Sequence, residues 1–184
     1  MANLASQKTL ATLAQAMISS KILYGIQAWS GTSIENRNKI QKIINQSARI
    51  ALGPKSSRMS IYKMMSQLGW MGLDQMSDQH TLMLAINTAN TGYPKSLNNK
   101  LSQFKTRTTR NSCEITRIPP SWKHEKSRWS YTNRAVHLLN NSPVHLQELR
   151  DKPAKKKAIK EHVKQTTSYY LTPIGSTRQH RLPG

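Results

Sequence analysis

The sequence holds a single cysteine, Cys113. One thiol excludes an intramolecular disulfide framework and a cysteine-based zinc knuckle, and it suits a reducing compartment. Carboxylates are scarce too, with 8 Asp plus Glu among 184 residues, and the 6 His are as scattered as the acids. Neither forms the constellation that a nuclease or a metal-dependent transferase requires. The aspartates are Asp74, Asp78 and Asp151. Asp74 and Asp78 share a helical face, but with no third carboxylate nearby they read as a charged surface turn. No run approaches the ~18 apolar residues of a membrane span. Residues 9–34 carry only one charge, Lys21, yet Gln15, Ser19, Ser20 and Gln27 interrupt them. The early basic patch, unbroken apolar stretch and small-residue cleavage site of a secretory signal are missing. An intracellular protein, nuclear or cytoplasmic, is expected.

What the chain has in excess is positive charge. Lys plus Arg number 28, for a formal net charge of +20, while apolar residues make up only 36%. A field of this size raises the encounter rate with phosphate and loads the unbound compact state with self-repulsion. A merely soluble basic surface is the plainer reading, but balanced surfaces are the norm, so a polyanion is the expected partner. The charge is uneven: residues 93–184 hold 19 Lys plus Arg and 5 acids, against 9 and 3 in residues 1–92.

Residues 19–53 read as the piece around which the rest is organised. Ile22-Leu23-Tyr24-Gly25-Ile26-Gln27-Ala28-Trp29 is too apolar and aromatic for a surface. After a break at Gly31-Thr32-Ser33, the residues Ile40, Ile43, Ile44, Ala48 and Ala51 recur at helical spacing, with Lys39, Lys42, Gln46 and Arg49 on the opposite face. One side is expected to pack and the other to stay cationic. Ser33 or Thr32 caps this helix, 33–52, and Gly53-Pro54 stops it. Upstream, residues 3–29 form one long helix or two with a bend. Leu10, Leu13, Ala14 and Met17 make its first buried stripe, the buried face then rotates towards Ile18, Ile22, Ile26 and Trp29, and Gly25 is expected to permit close approach by a neighbour.

Beyond Pro54 a basic loop leads to a short amphipathic helix starting near Ser60, with Ile61, Met64, Met65 and Leu68 on one face and Gly69 at its end. A further helical stripe, Leu73, Met76, His80, Met83 and Leu84, runs to Gly92. Methionine at such spacing is core filling rather than a ligand set, and His80 lacks a second ligand at i±4. Residues 94–127 hold a short helical stretch, Leu97 to Phe104, then an extended basic connection with β-prone pieces and room for one strand pair. A second helical unit begins near Ser127 or Ser130, its Tyr131, Ala135, Leu138 and Leu139 inward and Arg128 and Arg134 toward solvent, and Asn140 to Pro143 breaks it. A last helix, 153–170, has a narrow apolar line of Ile159, Val163 and Tyr170 amid Lys155, Lys156, Lys157, Lys160 and Lys164. Such a helix is marginal alone and calls for docking or a bound polyanion. The expected fold is mainly α: a small helical bundle over 1–92, an extended basic connection over 93–127, a basic helical unit over 128–170, and a disordered tail over 171–184.

Several motifs occur together in one order. Ser20-Lys21-Ile22-Leu23-Tyr24-Gly25-Ile26-Gln27-Ala28-Trp29 resembles the helix after the catalytic palm of non-LTR (LINE-like) retrotransposon reverse transcriptases, with its Ser-x-hydrophobic-Leu-Tyr-Gly-x-x-x-Trp pattern. Lys42-Ile43-Ile44-Asn45-Gln46-Ser47-Ala48-Arg49 is similar to that family's next helix, which closes on Ala-Arg. Leu68-Gly69-Trp70-Met71 resembles its Leu-x-Trp-Leu segment and Thr109-Arg110 its Thr-Arg element. Arg128-Trp129-Ser130-Tyr131 through Asn140 and Pro143 resembles its closing element. The likeness spans roughly residues 5–165. It departs from the pattern at Leu139, Ser142 and Tyr131, where the family usually has Trp and Leu and often Phe.

The resemblance implies a thumb-like bundle and C-terminal extension of an RNA-directed DNA polymerase without the catalytic portion, since the paired palm aspartates that hold two metal ions have no counterpart here. It implies no catalysis by this chain itself and no cofactor. A thumb lies along a primer–template duplex and holds it by backbone contact, with Lys and Arg displacing counterions. The candidate nucleic-acid-binding residues are Lys39, Lys42, Gln46 and Arg49 on the amphipathic helix, Lys55 and Arg58 after it, and Lys105, Arg107, Arg110, Lys123, Arg128 and Arg134 in the second half. Trp122 and Trp129 can stack on unpaired bases or anchor a core. Expected partners are DNA, RNA or a hybrid duplex, with the remaining polymerase domains. The alternative is a basic structural protein docked in an RNA-containing particle.

Overall fold

A computed structural model of the chain describes residues 6–29, 31–56, 58–102, 106–109, 112–117 and 130–166. Serine caps start three of its helices, each accepting a hydrogen bond from an otherwise unpaired N–H of the first turn. Ser6 does so for Thr9 (3.2 Å) at the head of α1, Gln7–Leu23. Ser33 accepts from Asn36 (3.4 Å) at the head of α3, Ile34–Leu52, and Ser60 from Lys63 (3.3 Å) at the head of α4, Ile61–Leu68. Between α1 and α3 lies the short α2, Ile26–Trp29. Of the two expected arrangements of residues 3–29, the bent one is found. The chain turns at Gly25, which sits at φ +64°. A Cβ there would meet nothing within 4 Å. This glycine therefore serves a left-handed turn, and not the close approach expected of it.

After a 3-10 turn, Gly53–Ser56, and α4 come α5, Leu73–Thr91, and α6, Lys95–Ser102. The strand pair anticipated in the basic connection is an antiparallel hairpin of β1, Thr106–Thr109, and β2, Ser112–Arg117, with Thr106 opposite Arg117 and Thr109 opposite Ser112. The C-terminal unit comprises α7, Tyr131–Asn140; a short α8, Val144–Glu148, that periodicity did not announce; and α9, Lys152–Thr166. Asp151 caps α9 by accepting from the Ala154 N–H (3.0 Å). The protein is mainly helical. No helix among the described residues is long and apolar enough to cross a membrane. The tail expected to be disordered, 171–184, lies outside the described residues, as do Tyr170, Trp122 and Trp129.

Two hydrophobic clusters hold these elements. One joins Ile22, Ile26, Ile44, Ala48, Ala51, Met65, Trp70 and Leu73; the other joins Leu82, Ala85, Ile86, Leu101, Ala135, Val136, Leu139, Ile159 and Val163. Helix α5 supplies Leu73 to the first and Leu82, Ala85 and Ile86 to the second. The shared helix is thus α5 rather than the 19–53 segment, and it is buried round most of its girth: Gln75, Ser77, Asp78, Gln79, Thr81 and Thr88 are covered along with its apolar residues. Methionine acts as filler where expected, with Met64 and Met65 enclosed.

Some faces differ from the sequence reading. In α1, Leu10, Leu13 and Met17 are 45%, 56% and 63% exposed. Ala14, Ile18 and Ile22 do turn inward as expected, and Ala11 joins them in place of the larger residues. Ile43 of α3, expected inward, is also exposed, while Ile40 packs. Lys155, expected among the solvated lysines of the last helix, falls on its buried row with Ile159 and Val163.

Candidate nucleic-acid interface

Helix α3 divides its faces as its sequence requires. Positions 37, 41, 44, 48 and 51 turn inward, leaving Lys39, Lys42, Gln46 and Arg49 exposed on the outer side at i, i+3, i+7 and i+10. Lys39 pairs with Glu35 one turn earlier (Nζ–Oε1 2.9 Å), both well exposed, an arrangement that contributes only a few tenths of a kcal/mol, about 0.3–0.5. Arg49 is tethered: its Nη1 donates to the Ser56 carbonyl (3.2 Å), and the Ser56 hydroxyl lies 3.1 Å from the Arg49 carbonyl, to which it donates. The 3-10 turn thereby orients this guanidinium. Arg58 is exposed just before α4. Lys42 and Arg58 are exposed cations of this region with no ion pair among the described residues, and Lys39 can exchange its exposed Glu35 partner for a phosphate at little cost.

The other candidates divide. Lys105, Arg110, Lys123 and Arg128 lie outside the described residues; of Lys55 and Arg107 only the backbone is described. Arg134, expected toward solvent, is not available. Its side chain is 12% exposed, its Nε donates to Asp78 Oδ1 (2.5 Å), and its Nη2 approaches Asp74 Oδ1 (4.0 Å) and the Asp74 carbonyl (3.4 Å). Asp74 also pairs with Arg37 of α3, whose side chain is 5% exposed. The aspartates taken for a charged surface turn are thus the centre of a four-residue ionic cluster, Arg37–Asp74–Arg134–Asp78. It fastens α3 and α7 to α5. Charge neutrality inside the cluster makes its burial tolerable. Arg37 was missed by the sequence reading. The signal was a cation on the inward row of α3, which demands a buried acid as partner.

A second cationic surface was read from the sequence but not assigned to binding. Lys156, Lys160 and Lys164 stand at i, i+4 and i+8 along α9, where like charges repel. Lys164 Nζ donates to the Gly69 carbonyl (3.3 Å). Its pKa is lowered, first by burial and then by Lys160, with Glu161 opposing. Beside this row opens a cavity of about 350 Å³ between α1, the turn at Gly69–Met71, α5 and α9. His80 lines it and has its pKa lowered by burial and secondarily by Lys156, so the imidazole is neutral near pH 7. Among the described residues no three His, Cys, Asp or Glu side chains come together to hold a metal ion.

No protein-family model, curated protein or solved structure matches the chain.

Proposed function

We propose that this protein is a sequence-nonspecific nucleic-acid-binding module, the non-catalytic C-terminal part of a retroelement RNA-directed DNA polymerase. The exposed outer face of α3 carries this reading. Lys39, Lys42 and Gln46 project from the same helix that buries Ile44, Ala48 and Ala51, so a rigid core presents phosphate-binding groups at fixed spacing. The ordered motifs from Ser20 to Pro143 support the retroelement assignment, and the net charge of +20 supports a polyanionic partner. The engagement of Asp74 and Asp78 with arginines supports a binding rather than a metal-dependent catalytic role, because neither carboxylate is free to ligate. The intracellular location belongs to the same proposal.

Fluorescence anisotropy with a labelled hybrid duplex tests it. Contact with ~6–10 phosphates makes affinity fall ~10³–10⁵-fold between ~50 and ~200 mM salt. Lys42→Glu is expected to weaken binding and to leave the circular dichroism spectrum and the melting midpoint as in the wild type. A flat salt titration, or equal affinity of Lys42→Glu, would remove the outer face of α3 from the reading.

A further inference from the structure

The cavity beside α9 combines features that a plain packing defect lacks. Its walls are apolar and partly aromatic: Ile18 and Leu23 from α1, Trp70 and Met71 from the turn, Met76 from α5. Its volume, about 350 Å³, suits a ring system with one substituent and lies at the small end of ligand sites. Into this wall is set the side chain of Gln79, 8% exposed. Lys156 and Lys160, one turn apart on α9, line it as well and bring positive charge to the cavity.

We propose that this cavity is a nucleotide site. A heterocyclic base lies against Trp70, Met71 and Met76, its hydrogen-bonding edge meets the Gln79 carboxamide, and its phosphate sits between Lys156 and Lys160. An amide offers a donor and an acceptor side by side, which matches the paired donor and acceptor of a base edge. An apolar wall takes any base face. The neutral His80 adds a second hydrogen-bonding group without repelling the ligand or the lysines. Two sources supply such a ligand, a free mononucleotide or the unpaired end of a nucleic-acid strand. The site stands apart from the outer face of α3, so it holds or fails independently of the function proposed above.

The full chain with ¹³C-methyl methionine gives the test. Met71 and Met76 line the cavity, while Met59 and Met83 do not and act as internal references. Adenosine monophosphate, a single-stranded octanucleotide and inorganic phosphate are titrated separately. Ring-current shifts confined to Met71 and Met76 are expected. If only the mononucleotide produces them the source is free nucleotide; if only the octanucleotide does, it is a strand end; if both do, either serves. Lys156→Ala/Lys160→Ala is expected to weaken binding about tenfold or more, the weight of a lost charge-assisted contact, and Gln79→Leu to weaken the nucleotide but not phosphate. Lys42→Glu is expected to leave the mononucleotide titration unaltered. Absence of shifts with both nucleotide probes, equal shifts with inorganic phosphate alone, or unchanged binding in the double lysine variant would overturn the assignment.

Discussion

The hydroxyl of Tyr131 lies at the edge of the second core without a hydrogen-bond partner among the described residues. Burial pushes its pKa up to about 12 from the ordinary 10.0. The folded state thus favours the neutral phenol. The stability this group contributes is fully present below the unfolded pKa of about 10 and is lost as pH rises through the folded value. Tyr131→Phe removes both the unpaired hydroxyl and the alkaline titration. At about pH 8 the variant is expected to be as stable as the wild type or more so, by up to about 1 kcal/mol, because an unpaired polar atom no longer needs to be desolvated. Urea unfolding repeated near pH 11 is expected to widen the gap in the variant's favour. A variant that loses stability at neutral pH would mean that the hydroxyl has a partner. The reading of Tyr131 as an inward residue was available from its spacing with Ala135 and Leu138. The orphaned oxygen was not, since hydrogen-bond satisfaction depends on what lies opposite in space.

Among the elements, the helix ends were the most legible and the helix faces the least. Ser33, Ser60 and Gly69 announce their boundaries by local chemistry, a side-chain acceptor at the start and a residue tolerant of positive φ at the end, and α3 and α4 begin and end within a residue of expectation. In α1 the inward Ala14, Ile18 and Ile22 were readable, but apolar residues surround the first turns, and there the small Ala11 packs while Leu10, Leu13 and Met17 stay exposed. Helix α5 misled for the opposite reason. Nearly all of its sides are covered, so polar positions such as Gln75, Asp78 and Thr81 are buried as well, and the apolar stripe no longer marks the core. The ionic cluster that results makes a testable claim about α5 and α7. Removing one member strands a buried charge, and Arg134→Met is expected to cost about 3–5 kcal/mol. The double variant Arg134→Met/Asp78→Leu removes both charges of the closest pair and is expected to recover most of that loss. A double-mutant cycle in urea gives the coupling. Additive losses would show that the Arg134–Asp78 pair contributes nothing specific to how α7 seats on α5.

At the scale of the whole molecule, the two cores are one construction because α5 runs through both, and the contacts that join them span long stretches of sequence: Arg37 to Asp74, Arg134 to Asp78, Lys164 to Gly69. No local pattern reports such pairings, which is why the mainly helical class was readable and the seat of Arg134 was not. The candidate interface followed the same rule. The outer face of α3 could be read from helical spacing alone, whereas the cavity beside α9 depends on α1, the Gly69–Met71 turn and α5 meeting it. A charge of +20 on 184 residues then sets a behaviour of the entire fold. Screening extends ~30 Å at ~0.01 M salt but only ~10 Å at ~0.1 M, so at low salt the exposed lysines of α3 and α9 repel across much of the molecule. The buried Arg–Asp pairs are screened far less, so salt relieves the repulsion more than it weakens the attraction. The melting midpoint is therefore expected to rise from ~0.01 to ~0.2 M sodium chloride, the reverse of a protein held together by surface ion pairs. A short duplex added at the lower salt is expected to raise the midpoint as well, since a ligand of the native state stabilises it by mass action, and that gain is expected to shrink as salt is added. Differential scanning fluorimetry across the two series checks both trends. A midpoint that falls with salt would show that the folded charges attract on balance, and the outer surface would then have no excess field with which to capture a polyanion.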